Sequence, residues 1–156
     1  IREALPLFKG VSRRFDVYAK SDRLIYIDDY AHHPREIEAS LSSIREMWPD
    51  KRLTVAFQPH LYSRTNDFYP EFAKSLNLAD QVILLDIYPA REQPIPGVTS
   101  GLIAERLTVP FVWVTKEEFP EYVKENVKEG IFMTVGAGDI DRFIPIFTEM
   151  FGGTDC

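Results

Sequence analysis

Ile25-Tyr-Ile-Asp-Asp-Tyr-Ala-His-His-Pro34 sets the reading of this 156-residue chain. An apolar run of strand length meets two acids and two imidazoles, and a proline suited to the first position of a helix follows at once. From Pro34, apolar residues recur at helical spacing (Ile37, Leu41, Ile44, Trp48) until Pro49-Asp50 ends the pattern. One strand feeding one helix in this way is the repeating unit of a parallel sheet. Upstream, Arg13–Lys20 alternates Phe15, Val17 and Ala19 with polar residues. It predicts a half-exposed first strand, antiparallel to Arg23–Asp28 across the Ser21-Asp22 turn.

The unit then recurs. Leu53–Phe57 predicts a strand, and Thr65 or Asn66 can cap a helix with the apolar face Phe68, Phe72 and Leu76. Gln81–Ile87 is a continuous apolar run, expected of a strand covered on both faces. Beyond the loop Tyr88–Gly97 come a short helix around Thr99–Leu107, a strand at Phe111–Val114 and a helix at Pro120–Lys128. Ile131–Val135 is the sixth strand, Gly136-Ala-Gly138 a tight loop, and Asp139–Phe151 the closing helix. The fold class is therefore α/β: a Rossmann-like three-layer domain with a six-stranded, mostly parallel sheet and an antiparallel first strand. Residues 1–12 read as a helix-like tail and hinge (Lys9–Ser12, with Gly10) from a preceding domain, and 13–156 as the domain proper.

Composition narrows the functional classes. A net charge of −6 disfavours a general nucleic-acid or membrane surface. No apolar run reaches the roughly 20 residues that span a bilayer, and the only cysteine is the terminal Cys156. The lone cysteine, which can form no internal disulfide, fits a reducing cytoplasm.

Chemistry-bearing residues concentrate at the strand-to-helix junctions: Asp28–His33, Gln58–Arg64, Asp86–Gly97 and Gly136–Asp139. In an open α/β sheet that edge is where ligands bind. His32, His33, His60, Arg64 and Arg91 add positive potential there, which suits an anionic ligand such as a phosphate or carboxylate. Of the acidic pair, one is expected to be structural, and Asp29, nearer the loop, is taken as the functional one. His33 is equally suited to capping the helix. Adjacent histidines cannot readily share one metal, and no His-x-x-x-His or Cys-x-x-Cys spacing is present, so no metal ligand is assigned. Gly136-Ala-Gly138 lacks a third glycine and reads as a turn. Tyr88-Pro-Ala-Arg-Glu-Gln-Pro-Ile-Pro-Gly97, with its three prolines, is either a rigid rim or an ordinary surface loop.

Arg13-Arg14-Phe15, Asp28-Asp-Tyr-Ala-His-His-Pro34, Phe57-Gln-Pro-His-Leu-Tyr-Ser-Arg-Thr65, Tyr88-Pro-Ala90 with Pro94-Ile-Pro-Gly97, and Gly136-Ala-Gly138 together closely resemble the C-terminal domain of the Mur ligases. These are ATP-dependent enzymes that build the peptidoglycan stem peptide. The resemblance runs from Val11 onward and is strongest to members that join L-alanine to UDP-N-acetylmuramic acid through an acyl phosphate. It implies a three-domain enzyme whose N-terminal and central domains hold the UDP-sugar and the ATP with its Mg2+. It also implies that the isolated fragment has no ligase activity. Carried over residue by residue, Arg14 would lie near the nucleotide phosphates, Asp29 would meet the ribose hydroxyls, and Tyr30 would lie beside the nucleoside. His32, His60 and Arg64 would face the junction of alanine and muramic acid. Many relatives carry a second arginine where this chain has Leu61. Three alternatives stand beside this reading: a ligase domain that attaches a whole peptide to the same sugar during recycling, a stand-alone anion- or metabolite-binding module, and a small hydrolase pairing Asp29 with His32.

Overall fold

The computed structural model describes residues 13–152. The expected tail and hinge at 1–12 and the terminal Cys156 lie outside them. In chain order the elements are β1 (Asp16–Lys20), β2 (Leu24–Asp29), α1 (Pro34–Met47), β3 (Leu53–Phe57), α2 (Tyr62–Leu76), β4 (Gln81–Leu84), α3 (Gly101–Ala104), β5 (Phe111–Trp113), α4 (Phe119–Asn126) and β6 (Gly130–Val135). A 3₁₀ segment, Asp139–Phe143, then leads into α5 (Ile144–Met150). The sheet order is β1-β2-β6-β3-β4-β5. β1 runs antiparallel to β2, and every other pairing is parallel.

This order follows from handedness. From β2 through β3 and β4 to β5 the chain steps one way across the sheet, so right-handed crossovers place α1, α2 and α3 on one face. The step from β5 to β6 runs back the other way, which puts α4 on the opposite face. Alternate strand residues separate accordingly. Ile25, Ile27, Val55, Phe57, Met133 and Val135 join Ile37, Leu41, Ile44, Phe72 and Leu76 in one core layer. Tyr26, Ala56, Ile83 and Phe132 join Phe119, Val123, Ile140 and Phe147 in the other. β2, β3 and β6, central and covered on both faces, are buried along their whole length.

Because β6 inserts between β2 and β3, its outgoing loop turns to one face while theirs turn to the other. That divergence opens a crevice at the strand C-terminal edge.

Several boundaries differ from expectation, each for a local reason. α2 begins at Tyr62 rather than with a cap at Thr65 or Asn66. Thr65 is fully buried, and its hydroxyl donates to the Leu61 carbonyl (2.9 Å) from inside the first turn. β4 stops at Leu84 because the Leu85 carbonyl leaves the ladder to accept from the Ser100 hydroxyl (2.6 Å). α3 is a single turn, continued by tighter bonds from the Arg106 and Leu107 amides to the carbonyls three residues back. The closing helix divides into the 3₁₀ segment and α5, with Pro145 in the first turn of α5, where its missing N–H costs nothing. The first strand starts at Asp16, since Arg13 (φ 64°) and Phe15 (φ 54°) are left-handed.

Candidate functional site at the strand C-terminal edge

The β2 exit is folded by its own acids. Asp28 is fully buried. It accepts from Arg13 Nε (3.0 Å) and from the Thr134 hydroxyl (2.6 Å), and so ties β2 to β1 and β6. Burial pushes its carboxyl up even though Thr134 and Arg13 pull the other way. Asp28 thus has a structural role.

Asp29 is also largely buried. One oxygen accepts from the Ala31 amide (2.9 Å) and the other from the Ser40 hydroxyl (2.6 Å), which pins the loop to α1. Tyr30 is exposed, with the Arg13 guanidinium 5.2 Å from its ring centroid. Arg13 also donates to the Gly136 carbonyl (2.8 Å). Arg14 is exposed beside it. The inward-turned member of the arginine pair is therefore Arg13.

The two adjacent histidines part company. His33 is the N-cap of α1. Its Nδ1 accepts from the Arg35 amide (3.3 Å), its amide donates to Glu36, and its ring meets Phe68 edge-on at 5.0 Å, facing the α1–α2 groove. Burial opposes ionisation of Glu36, but the His32 and His33 amides it receives hold its carboxyl below the usual range. His32 turns the other way, its ring centroid 6.4 Å from that of His60.

The β3 exit carries His60 in an extension of the sheet. The Tyr88 amide donates to the Pro59 carbonyl (2.8 Å) and the Leu61 amide to the Tyr88 carbonyl (2.9 Å). The chain then turns sharply into α2 at Leu61, whose φ of 73° is strained for a branched residue by about 1–3 kcal/mol. α2 has no side-chain cap of its own. Glu92 supplies one from the proline-rich loop, accepting from the Ser63 amide (3.0 Å) and the Ser63 hydroxyl. Those bonds lower the Glu92 carboxyl. The loop is a tethered rim.

Arg64, one helical turn beyond His60, donates through a terminal nitrogen to His60 Nδ1 (3.3 Å). A guanidinium cannot accept, so Nδ1 must hold the lone pair and the neutral ring carries its proton on Nε2. Burial, then the charges of Arg64 and His32, push the His60 imidazole below its ordinary value. His32 has the opposite tautomer when neutral. Its Nδ1 faces the Tyr30 carbonyl (3.1 Å), which can only accept, so Nε2 keeps the lone pair. The cluster thus offers one imidazole donor, one imidazole acceptor and a guanidinium.

Of the residues expected to gather, His32, His60 and Arg64 do so, with Tyr30 5.4 Å from His32. Asp29 ends β2, just before the loop of Tyr30 and His32, with its carboxylate on the Ala31 amide and on Ser40 of α1. Tyr88, stacked on His60 at 5.7 Å, and Glu92 join the site although neither was assigned to it from the sequence. The Tyr88-Pro-Ala90 motif was the available signal for the first. Nothing in the spacing signals Glu92. A depression of about 390 Å³ adjoins the cluster, lined by Tyr88, Ala137, Gly138, Asp139, Asp141 and Arg142. Among the described residues, no three His, Cys, Asp or Glu side chains converge as a metal site would require.

The family described as Mur ligase, glutamate ligase domain, matches residues 13–138. The UDP-N-acetylmuramate–L-alanine ligase of Phocaeicola vulgatus is 51% identical over 147 residues, covering 93% of this chain and 32% of that protein. The enzyme of the same name from Porphyromonas gingivalis is 48% identical over 145 residues, 92% of this chain and 32% of that one. The crystal structure of UDP-N-acetylmuramate-alanine ligase from Thermotoga maritima superposes with a TM-score of 0.70 at 31% identity, over 96% of this chain and 32% of that chain. A murein peptide ligase from Psychrobacter arcticus shares the fold (TM-score 0.73, 18% identity, 99% of this chain and 33% of that chain). The chain spans about a third of the length of the curated relatives it matches. With the family match over most of its length and the agreement in fold, this chain belongs to the Mur ligase family, as the domain that ends those enzymes.

Proposed function

We propose that this chain is the C-terminal domain of an ATP-dependent ligase that joins L-alanine to UDP-N-acetylmuramic acid in peptidoglycan synthesis. The observation carrying the reading is the meeting of His32, His60 and Arg64 at the strand C-terminal edge, in a chain about half identical to enzymes named for that reaction. The reaction joins a carboxylate, activated as an acyl phosphate by ATP, to the amine of alanine, and phosphate leaves. Chemistry of this kind depends on positioning and on neutralising developing negative charge.

Arg64 has a planar fork with one terminal nitrogen on His60, and its remaining N–H groups suit the alanine carboxylate. His60 Nε2–H donates to an oxygen of the muramoyl carboxyl or the departing phosphate. His32 Nε2 accepts a proton from the incoming ammonium. Tyr30, exposed beside Arg13, provides a ring against which a nucleoside can lie, and Arg14 a cation for its phosphates. Asp29 reaches a ribose hydroxyl only by sharing its oxygens with Ala31 and Ser40. The Mg2+ that accompanies ATP is assigned to the parent protein's ATP-binding domain.

The site would be completed by closure of this domain onto that one. The test is steady-state ligation by the parent protein. Arg64→Ala should lower kcat/KM for L-alanine at least tenfold, equivalent to ~1.4 kcal/mol or more. The 156-residue chain alone should ligate nothing. Unchanged kinetics, or turnover by the chain alone, would refute the assignment.

A further inference from the structure

A closed circuit of contacts starts and ends at the β3 exit. Gln58, fully buried, has its amide fixed at both ends. Its Oε1 accepts from the Ile140 amide (3.0 Å) and its Nε2 donates to Asp139 (2.8 Å). The second oxygen of Asp139 accepts from Lys116 Nζ (2.7 Å). Burial alone would raise the Asp139 carboxyl. The bonds from Lys116 and Gln58, with the Lys116 and Arg142 charges, hold it below the usual range, so it stays an anion.

Lys116, anchored in this way, places its ammonium 5.6 Å from the centroid of the Tyr88 ring. The base of that ring is seated on Gly138, where even a methyl group would lie 2.7 Å from Tyr88 Cβ and Cγ. Tyr88 in turn runs nearly parallel to the imidazole of His60, with ring centroids 5.7 Å apart at 17°. The circuit therefore draws on four parts of the fold: the exits of β3 and β6, the loop after β4, and the β5–α4 connection. It returns to His60, two residues from where it began.

We propose that Lys116 is a positioning residue for His60, acting at a distance by holding the Tyr88 ring against the imidazole while Asp139 and Gln58 hold Lys116. A cation beside an aromatic ring is attracted by its π face, and a ring confined between that cation and its glycine seat has little freedom to leave the imidazole. The kinetic consequence rests on the proposed role of His60 in ligation. The positioning itself does not.

The experiment is proton NMR of the 156-residue chain. The ring current of a phenol this close perturbs the His60 ring-proton shifts, which a merely structural lysine would not control. Lys116→Met should shift the His60 ring protons toward the positions they take in Tyr88→Leu, with His33 unmoved as the internal standard. Lys116→Arg and Tyr88→Phe, which keep the cation and the ring, should restore the parent spectrum. Tyr88→Leu should remove the ring-current contribution. If Lys116→Met does not fold, Asp139→Asn, which frees Lys116 without removing it, carries the same test. His60 signals unchanged in the variant that folds would overturn the proposal. In the parent ligase, Lys116→Met should reduce kcat/KM for alanine severalfold. If the His60 signals shift but turnover does not, the positioning stands and the assignment of His60 to the reaction fails.

Discussion

Gly138→Ala isolates the packing on which the site depends. A Cβ built at this glycine lies 2.5 Å from Gln58 Oε1 and 2.7 Å from both Cβ and Cγ of Tyr88. A left-handed backbone is not the obstacle, since φ is −85°. Forcing a methyl group into a filled site costs about 1–3 kcal/mol. Displacing the Gln58 amide leaves the buried Ile140 N–H without its acceptor, for about 1–3 kcal/mol more. These costs overlap, so the expected loss is roughly 2–4 kcal/mol, which lowers Tm by roughly 5–12 °C in a domain of this size. Gly97→Ala is the matched control. Nothing lies within 4 Å of its added methyl, but its φ is +80°, so the cost is about 1–2 kcal/mol from backbone strain alone. Urea unfolding should separate the two variants, and the His60 ring protons should move only in Gly138→Ala. A Gly138→Ala chain as stable as Gly97→Ala, or with His60 unmoved, would refute the packing logic.

Three further outcomes follow from the same geometry. Because His60 titrates below its ordinary value, the unfolded chain binds a proton that the folded chain refuses between the lowered value and about 6.5. The folded state should therefore lose stability relative to His60→Asn as pH falls through that window, measurable as a pH series of Tm. Arg64→Ala removes one cause of the depression and should raise the His60 pKa in an NMR titration; no rise would discount their contact. Glu92→Gln weakens the cap on α2, so the Ser63 amide should exchange with deuterium faster while core amides of β6 do not; equal protection would show that the loop is not tethered there.

Much of this was legible because the chain's patterns agree with one another. The alternation of strand and helix sends the exits of β2 and β3 to one edge, so His32, His60 and Arg64 could be placed together without coordinates. Strand order was not legible, since Ile131–Val135 is as apolar as any central strand and nothing local says that it inserts between β2 and β3. The start of α2 was misplaced because its cap is Glu92, 29 residues from Ser63, whereas local rules look for Ser, Thr, Asp or Asn next to the helix. Arg13 and Arg14 are chemically alike. Only the left-handed backbone at Arg13, bonded through its amide to Asp16 (2.6 Å), decides which one turns inward. The adjacent histidines divided for a similar reason, because capping α1 commits one of them to the helix. Lys116 stands in unremarkable sequence, and Asp139, although it closes one of the chemistry-bearing junctions, is tied to Lys116 only through tertiary contact.

The most direct measurement is the structure of the parent protein with UDP-N-acetylmuramoyl-L-alanine and ADP bound. The account predicts the alanine carboxylate within hydrogen-bonding distance of the Arg64 guanidinium, with His60 and His32 flanking the new amide. Density placing that carboxylate against another part of the protein, with Arg64 and His60 turned to solvent, would contradict it.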